Sequence, residues 1–112
     1  MTARARARTV AVLVTCPTMR TAKRVGAALV TRRLAACVNI VPGVESLFWW
    51  KGKVDRSKEV LLIAKTTARM FEPLRRCVIS VHPYEVPEVI AIQLSAGHPP
   101  YLAWISASVR AR

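Results

Sequence analysis

The apolar residues of this chain change their spacing several times between its ends, and that alternation constrains the fold more than any other feature. From Thr9 to Thr15 the run TVAVLVT is β-branched and nearly all apolar, the mark of a strand covered on both faces or of an edge-protected sheet. Pro17 and Thr18 stop it, and Thr18 is suited to cap a helix beginning just beyond it. Between Met19 and Leu34, the residues Ala22, Val25, Leu29 and Val30 recur at helical spacing, while Arg20, Lys23, Arg24, Arg32 and Arg33 take the wet side. That spacing predicts a helix of about four turns. Residues 35–50 return to strand composition, with Pro42-Gly43 read as a bulge or bend rather than an end. Gly52 lies in a turn between two apolar runs and predicts a hairpin, whose returning strand covers residues 58–66.

Thr67 then opens a second helix, with Met70, Leu74, Cys77, Val78 and Val81 on one stripe. Proline is tolerated in a first turn but breaks a helix further in, so Pro73 sets the regular part near Met70. His82-Pro83 ends this helix, because the residue before a proline is pushed out of the helical region. Residues 86–94 read as a fourth strand, with Pro87 at its start. Pro100 suits the first turn of a last helix, whose apolar face is Tyr101, Leu102, Trp104, Ile105 and Val109. The order β-α-β-β-α-β-α predicts an α+β fold: a ferredoxin-like βαββαβ sandwich plus a C-terminal helix, one antiparallel sheet with both long helices on one face. At 112 residues there is room for one domain. Residues 1–8 read as a flexible basic tail and 9–112 as the single domain.

Charge raises a partner and placement removes it. Lys and Arg number 18 against 6 Asp and Glu, a formal net charge of +12, which suggests nucleic acid or an anionic surface. However, Arg4, Arg6 and Arg8 alternate with alanines in the tail, and Arg110 and Arg112 close the chain. The aromatic run Phe48-Trp49-Trp50 has no RNP-like pattern around it, which argues against nucleic-acid binding. No apolar run approaches the ~20 residues of a membrane span. The basic tail followed by Val10–Val14 copies a targeting signal only superficially, being short and without a small-residue cleavage site. Three cysteines, Cys16, Cys37 and Cys77, form no scaffold pattern, which favours free thiols in a reducing cytoplasm.

Adjacent strand residues face opposite ways, so Phe48, Trp49 and Trp50 cannot share one core. With helices on one side only, at least one ring looks out at the bare face. The C-terminal helix or the tail could fold over it; the sharper expectation is a homo-oligomer with Trp49 and Trp50 at its interface. For chemistry, no C-x-x-C or H-x-x-x-H pair, Ser-His-Asp order or phosphate-cradling glycine loop is present, so no zinc site or enzyme class stands out. Cys37 and Cys77 lie on apolar faces and read as core residues, and His98 in its Gly-Pro loop reads as solvated. Cys16 and His82 differ in kind. Both fall where an apolar element ends, and the expected packing joins those ends only across an edge or between subunits. Thiolate with imidazole is a soft pair suited to copper or zinc.

The run Arg33-Leu-Ala-Ala-Cys-Val-Asn-Ile-Val-Pro-Gly43, then Ser46, Trp49-Trp50-Lys-Gly-Lys53, Glu59-Val-Leu-Leu-Ile-Ala-Lys-Thr66, Val81-His-Pro-Tyr-Glu-Val-Pro-Glu88 and Pro100-Tyr-Leu-Ala-Trp104 resembles the CutA family of divalent-cation tolerance proteins. The similarity extends from about Val10 to Val109. It implies a compact homotrimer with strands paired edge to edge between subunits, a non-enzymatic role, and binding of divalent metal, copper in particular. The implied ligands are a cysteine at the end of the first strand and a pair of histidines before the Pro-Tyr. Cys16 takes the cysteine place and His82 the second histidine place, but the first histidine place holds Val81. With one donor lost, the resemblance implies copper or another divalent cation bound weakly, with a further ligand from Glu59, Glu85 or water. It also sets Lys65, Tyr84, Glu88 and Glu59 around a cleft between subunits, a default ligand site. That trimer is similar to the nitrogen-regulatory PII signalling proteins, which makes a small-molecule sensor the alternative by fold analogy. An acylphosphatase-like hydrolase would need a glycine in the loop Thr15-Cys-Pro-Thr-Met-Arg20, and none is there.

Overall fold

A computed structural model describes residues 8–110. In chain order it contains β1 (Thr9–Cys16), α1 (Met19–Thr31), β2 (Cys37–Trp50), β3 (Lys53–Thr67), a 3-10 turn (Ala68–Met70), α2 (Phe71–Val81), β4 (Val89–Gln93) and α3 (Pro99–Ser108). The strands form one antiparallel sheet in the order β2-β3-β1-β4, which is the ferredoxin-like arrangement the element order predicts. Of the basic tail only Arg8 is described, where its carbonyl accepts the Ala68 amide at 2.8 Å; the remainder lies outside the described residues.

Period two on the strands and period 3.6 on the helices meet in one layer. Val10, Val12, Val14 and Cys16 of β1, with Val60, Leu62 and Ala64 of β3, face Ala22, Val25 and Leu29 of α1 and Leu74, Cys77 and Val78 of α2. Thr18 caps α1 as expected, its hydroxyl accepting the Thr21 amide at 3.1 Å. Pro73 falls in the first turn of α2, where its missing amide costs nothing. Pro42-Gly43 marks a slip in register between Val41 and Val44, as the sequence suggests.

Three boundaries and one burial assignment depart from expectation, each for a local reason. α1 ends at Thr31 rather than Leu34, because the Leu34 amide turns back to the Leu29 carbonyl and Arg33 takes a left-handed φ of 57°. This is a Schellman closure, in a place glycine usually fills. β3 begins at Lys53, not near residue 58. Lys51 and Gly52 both have positive φ (51° and 81°) and make a two-residue turn, so Trp50 pairs directly with Lys53. The polar stretch Asp55–Lys58 is thus strand without an apolar signal. β4 begins at Val89, not residue 86, since Pro87 has no amide to give a ladder. Finally, Cys37 is not a core residue: it pairs with Lys65 on the face away from α1 and α2, its sulfur 3.6 Å from the Tyr101 hydroxyl.

Candidate functional site

α2 stops one residue before His82, whose backbone is already extended because Pro83 follows. The released ring reaches the C-terminal end of β1. Its Nδ1 lies 3.2 Å from the Tyr84 amide and its Nε2 lies 2.7 Å from the Thr15 carbonyl. An amide can only donate, so Nδ1 is the acceptor and Nε2 carries the hydrogen that Thr15 accepts. His82 is 8% exposed and leans on the Tyr84 ring, centroids 4.8 Å apart. The ends of β1 and α2 therefore meet inside one chain, and neither an edge crossing nor a second subunit is needed.

The loop is tied a second time. The Tyr84 hydroxyl donates to Glu59 Oε2 at 2.7 Å, and Glu59 is itself buried on β3. Burial, with Glu59 as its acceptor and neighbouring charge, pushes the Tyr84 hydroxyl up to about 12. Cys16 is fully enclosed beneath the sheet. Burial first, and then the Glu59 charge, push its thiol up to about 11.

Between this loop and the arm formed by β2 and β3 lies a cavity of about 850 Å³. Phe48 and Trp50 of the arm and Tyr84 of the loop give it aromatic walls. Five of the six acidic residues in the chain line it, Glu45, Asp55, Glu59, Glu85 and Glu88, with Arg56 as the one basic residue among them. The sixth, Glu72, sits on α2 and is held by Arg75 at 3.0 Å. A protein of net charge +12 has thus gathered nearly all of its negative charge in one place. Glu45 and Asp55 escape the sequence reading, in which Phe48 figures only as one of three rings that cannot share a core. Pairing of Phe48 with Asp55 and of Ser46 with Ser57 is the signal that would find one wall, and it is visible only once the two-residue turn fixes the register.

Of the residues singled out from the sequence, Glu59, Tyr84, Glu85 and Glu88 come together here. Lys65 does not. It lies six residues further along β3, about 20 Å away by strand rise, and its ammonium donates to Asn39. Trp49 and Trp50 part company as the strand dictates: Trp50 faces the cavity, and Trp49 stands 74% exposed on the other side of the arm. His98 is exposed and precedes α3, its carbonyl accepting the Tyr101 and Leu102 amides.

As arranged, Cys16 and His82 fit copper poorly. Metal ligands must be deprotonated and have a lone pair to give; the enclosed thiol holds its proton, and both ring nitrogens of His82 are engaged. Among the described residues, no three His, Cys, Asp or Glu side chains gather closely enough to hold one ion. Val81 packs against the core.

Comparison with known proteins decides the relationship. The family model for the CutA1 divalent ion tolerance protein matches residues 10–108. The chain belongs to the CutA family. It is 48% identical over 95 residues to mouse "Protein CutA", covering 85% of this chain and 54% of the relative. Against the Thermus thermophilus "Divalent-cation tolerance protein CutA" it is 46% identical over 94 residues, covering 84% and 91%. The crystal structure of CutA1 from Oryza sativa superposes with a TM-score of 0.91 at 43% identity, over 94% of this chain and 96% of that one. The chain spans about half the length of the mouse relative. The family description and the Thermus thermophilus name speak of tolerance to divalent cations rather than of a reaction. No helix among the described residues is long and apolar enough to cross a membrane.

Proposed function

We propose that this CutA chain is a non-enzymatic, cytoplasmic homotrimer that binds divalent cations, copper among them, with low affinity. The carrying observation is the convergence of five of six carboxylates on one cleft in a chain of net charge +12. Hard divalent cations take oxygen donors and keep waters in the remaining positions. One or two of Glu59, Glu85 and Glu88 then suffice as anchors. Copper prefers the softer Cys16 and His82 beside them. To use that pair, His82 gives up Thr15 or Tyr84 and Cys16 gives up a proton held to about 11. Each step weakens binding, and Val81 in the third donor's place weakens it further.

Three unpaired cysteines support a reducing compartment. Assembly is supported by the apolar surface left bare: Trp49 and Val54 on the outer side of the arm are 74% and 56% exposed, and Ile90 and Ile92 on β4 are half exposed. A surface of this kind is normally covered by a partner. A second reading, a PII-like sensor, draws on the aromatic walls of the cleft and its volume of about 850 Å³, within the range of small-molecule pockets.

Calorimetric titration with Cu(II), Zn(II) and Mn(II), beside a panel of nucleotides, separates the two. On the cation reading, Glu85→Gln and Glu88→Gln weaken Mn(II), Cys16→Ser weakens Cu(II), and Val81→His tightens Cu(II). Cation binding indifferent to all four changes, or nucleotide binding alone, overturns it.

A further inference from the structure

Where α1 ends against α2, a second pocket of about 320 Å³ opens to solvent. Its charge is the reverse of the cleft's. Arg32, Arg76 and Arg110 converge on it from three separate segments, with Ser80 and the Cys77 sulfur, and no carboxylate among the described residues lines it. Among those residues the one ion pair is Arg75 with Glu72, so these three guanidiniums are not neutralised by a described neighbour.

The pocket is built rather than incidental. The Schellman turn after α1 fixes Arg32, whose Nη1 donates to Cys77 Sγ at 3.3 Å. A thiol sulfur is a weak acceptor, so a guanidinium with it as partner has strong donor capacity left over. Arg110 is pinned at both backbone groups: its amide donates to the Arg33 carbonyl at 2.9 Å, and its carbonyl accepts from the Arg69 guanidinium at 3.2 Å. Pro73, Arg76, Cys77 and Ser80 follow helical spacing on α2 and so share one face. Buried Leu34 and Cys77 close the floor.

From this geometry we infer that the pocket binds the phosphate group of a small phosphate-bearing anion. Guanidinium forks match phosphate oxygens in pairs, and three of them supply more donors than one phosphate can accept. The volume lies at the small end of ligand pockets, which suits a monophosphate and excludes a dinucleotide. This inference is independent of the cation reading of the acidic cleft.

The test is calorimetric titration of the full chain with inorganic phosphate and, separately, with glycerol 3-phosphate, in chloride buffer of constant ionic strength. We expect one saturable site per chain. Arg32→Ala and Arg76→Ala should each weaken it ~10-fold or more, as loss of a charge-assisted hydrogen bond does. Arg32→Lys keeps the charge but loses the fork and should fall between. Arg20→Ala and Arg24→Ala, on the wet face of α1, should change nothing. Tighter binding of the ester identifies an organic monophosphate as the ligand; equal binding of both probes identifies the free anion. Absence of saturation into the ~10 mM range, or equal losses from Arg24→Ala and Arg76→Ala, overturns the site and leaves diffuse attraction to a basic surface.

Discussion

Removing one oxygen tests how the cleft is held together. Tyr84→Phe deletes the hydroxyl that donates to Glu59 at 2.7 Å and keeps the ring that leans on His82. A hydrogen bond to a charged group contributes ~1.5–3 kcal/mol. Glu59 is buried but lines the open cleft, so water from that side can reach the vacated carboxylate; the loss should sit at the lower end, ~1.5 kcal/mol. With a urea dependence of ~1.5 kcal/mol per molar, the unfolding midpoint drops by ~1 M. Protein concentration must be fixed across the series, because the proposed assembly would add a concentration-dependent contribution. Glu59→Gln and the double variant complete a cycle, whose coupling should reach ~1 kcal/mol for groups in direct contact. Tyrosinate absorbance gives a second readout. The Tyr84 hydroxyl, pushed up to about 12 by burial and by Glu59, should titrate lower once that charge is removed. Zero coupling together with an unmoved titration would mean that the bond is absent in solution and that the loop is held some other way.

Other outcomes depend on the same contacts. The Cys16 thiol is raised from 9.0 to about 11 in the fold, so the unfolded chain loses this proton first. Stability should hold below pH 9, fall as the pH rises toward 11, and fall less in Cys16→Ala; denaturant curves that stay flat across that window contradict the burial of the thiol. Leu62→Ala empties a fully enclosed position between β1 and β2 and should cost ~2–5 kcal/mol by urea unfolding; a loss under ~1 kcal/mol would place Leu62 outside the core. Trp49→Ala removes a ring 74% exposed in the single chain. It should spare secondary structure by circular dichroism yet shift light scattering from trimer toward monomer; a wild-type monomer at micromolar concentration disposes of the assembly altogether.

The sequence reveals elements well and surroundings poorly. Strand and helix order is legible because buried residues repeat with the period of their own element, as Val10, Val12 and Val14 do on β1. Asp55–Lys58 is invisible as strand, since both of its faces are polar and only the turn at Lys51-Gly52 commits it to the ladder. Burial assignments fail at Cys37 for a related cause: its apolar neighbours do not say which face it takes, and register decides. Within the chain, Glu59, Tyr84, Glu85 and Glu88 line one cleft while Lys65 stands six residues along β3 from it, because nearness in a motif is not nearness along a strand. Glu45 and Asp55 are missed for the opposite reason, being far from His82 in sequence and near its loop in space.

The strand pairings also imply an order of closure. β2 and β3 zip from a two-residue turn, at little cost in chain entropy. β4 meets β1 through five pairs alone, from Val14 with Val89 to Val10 with Gln93, and closes a loop of most of the chain. Such distant contacts form late. The acidic cleft straddles this difference, with Glu45 and Asp55 on the early hairpin and Glu85 and Glu88 just ahead of the late strand. Its two walls come together only when the last seam shuts. A cation spanning them would be a clasp on that seam, slowing the opening of the whole domain instead of stiffening any one strand.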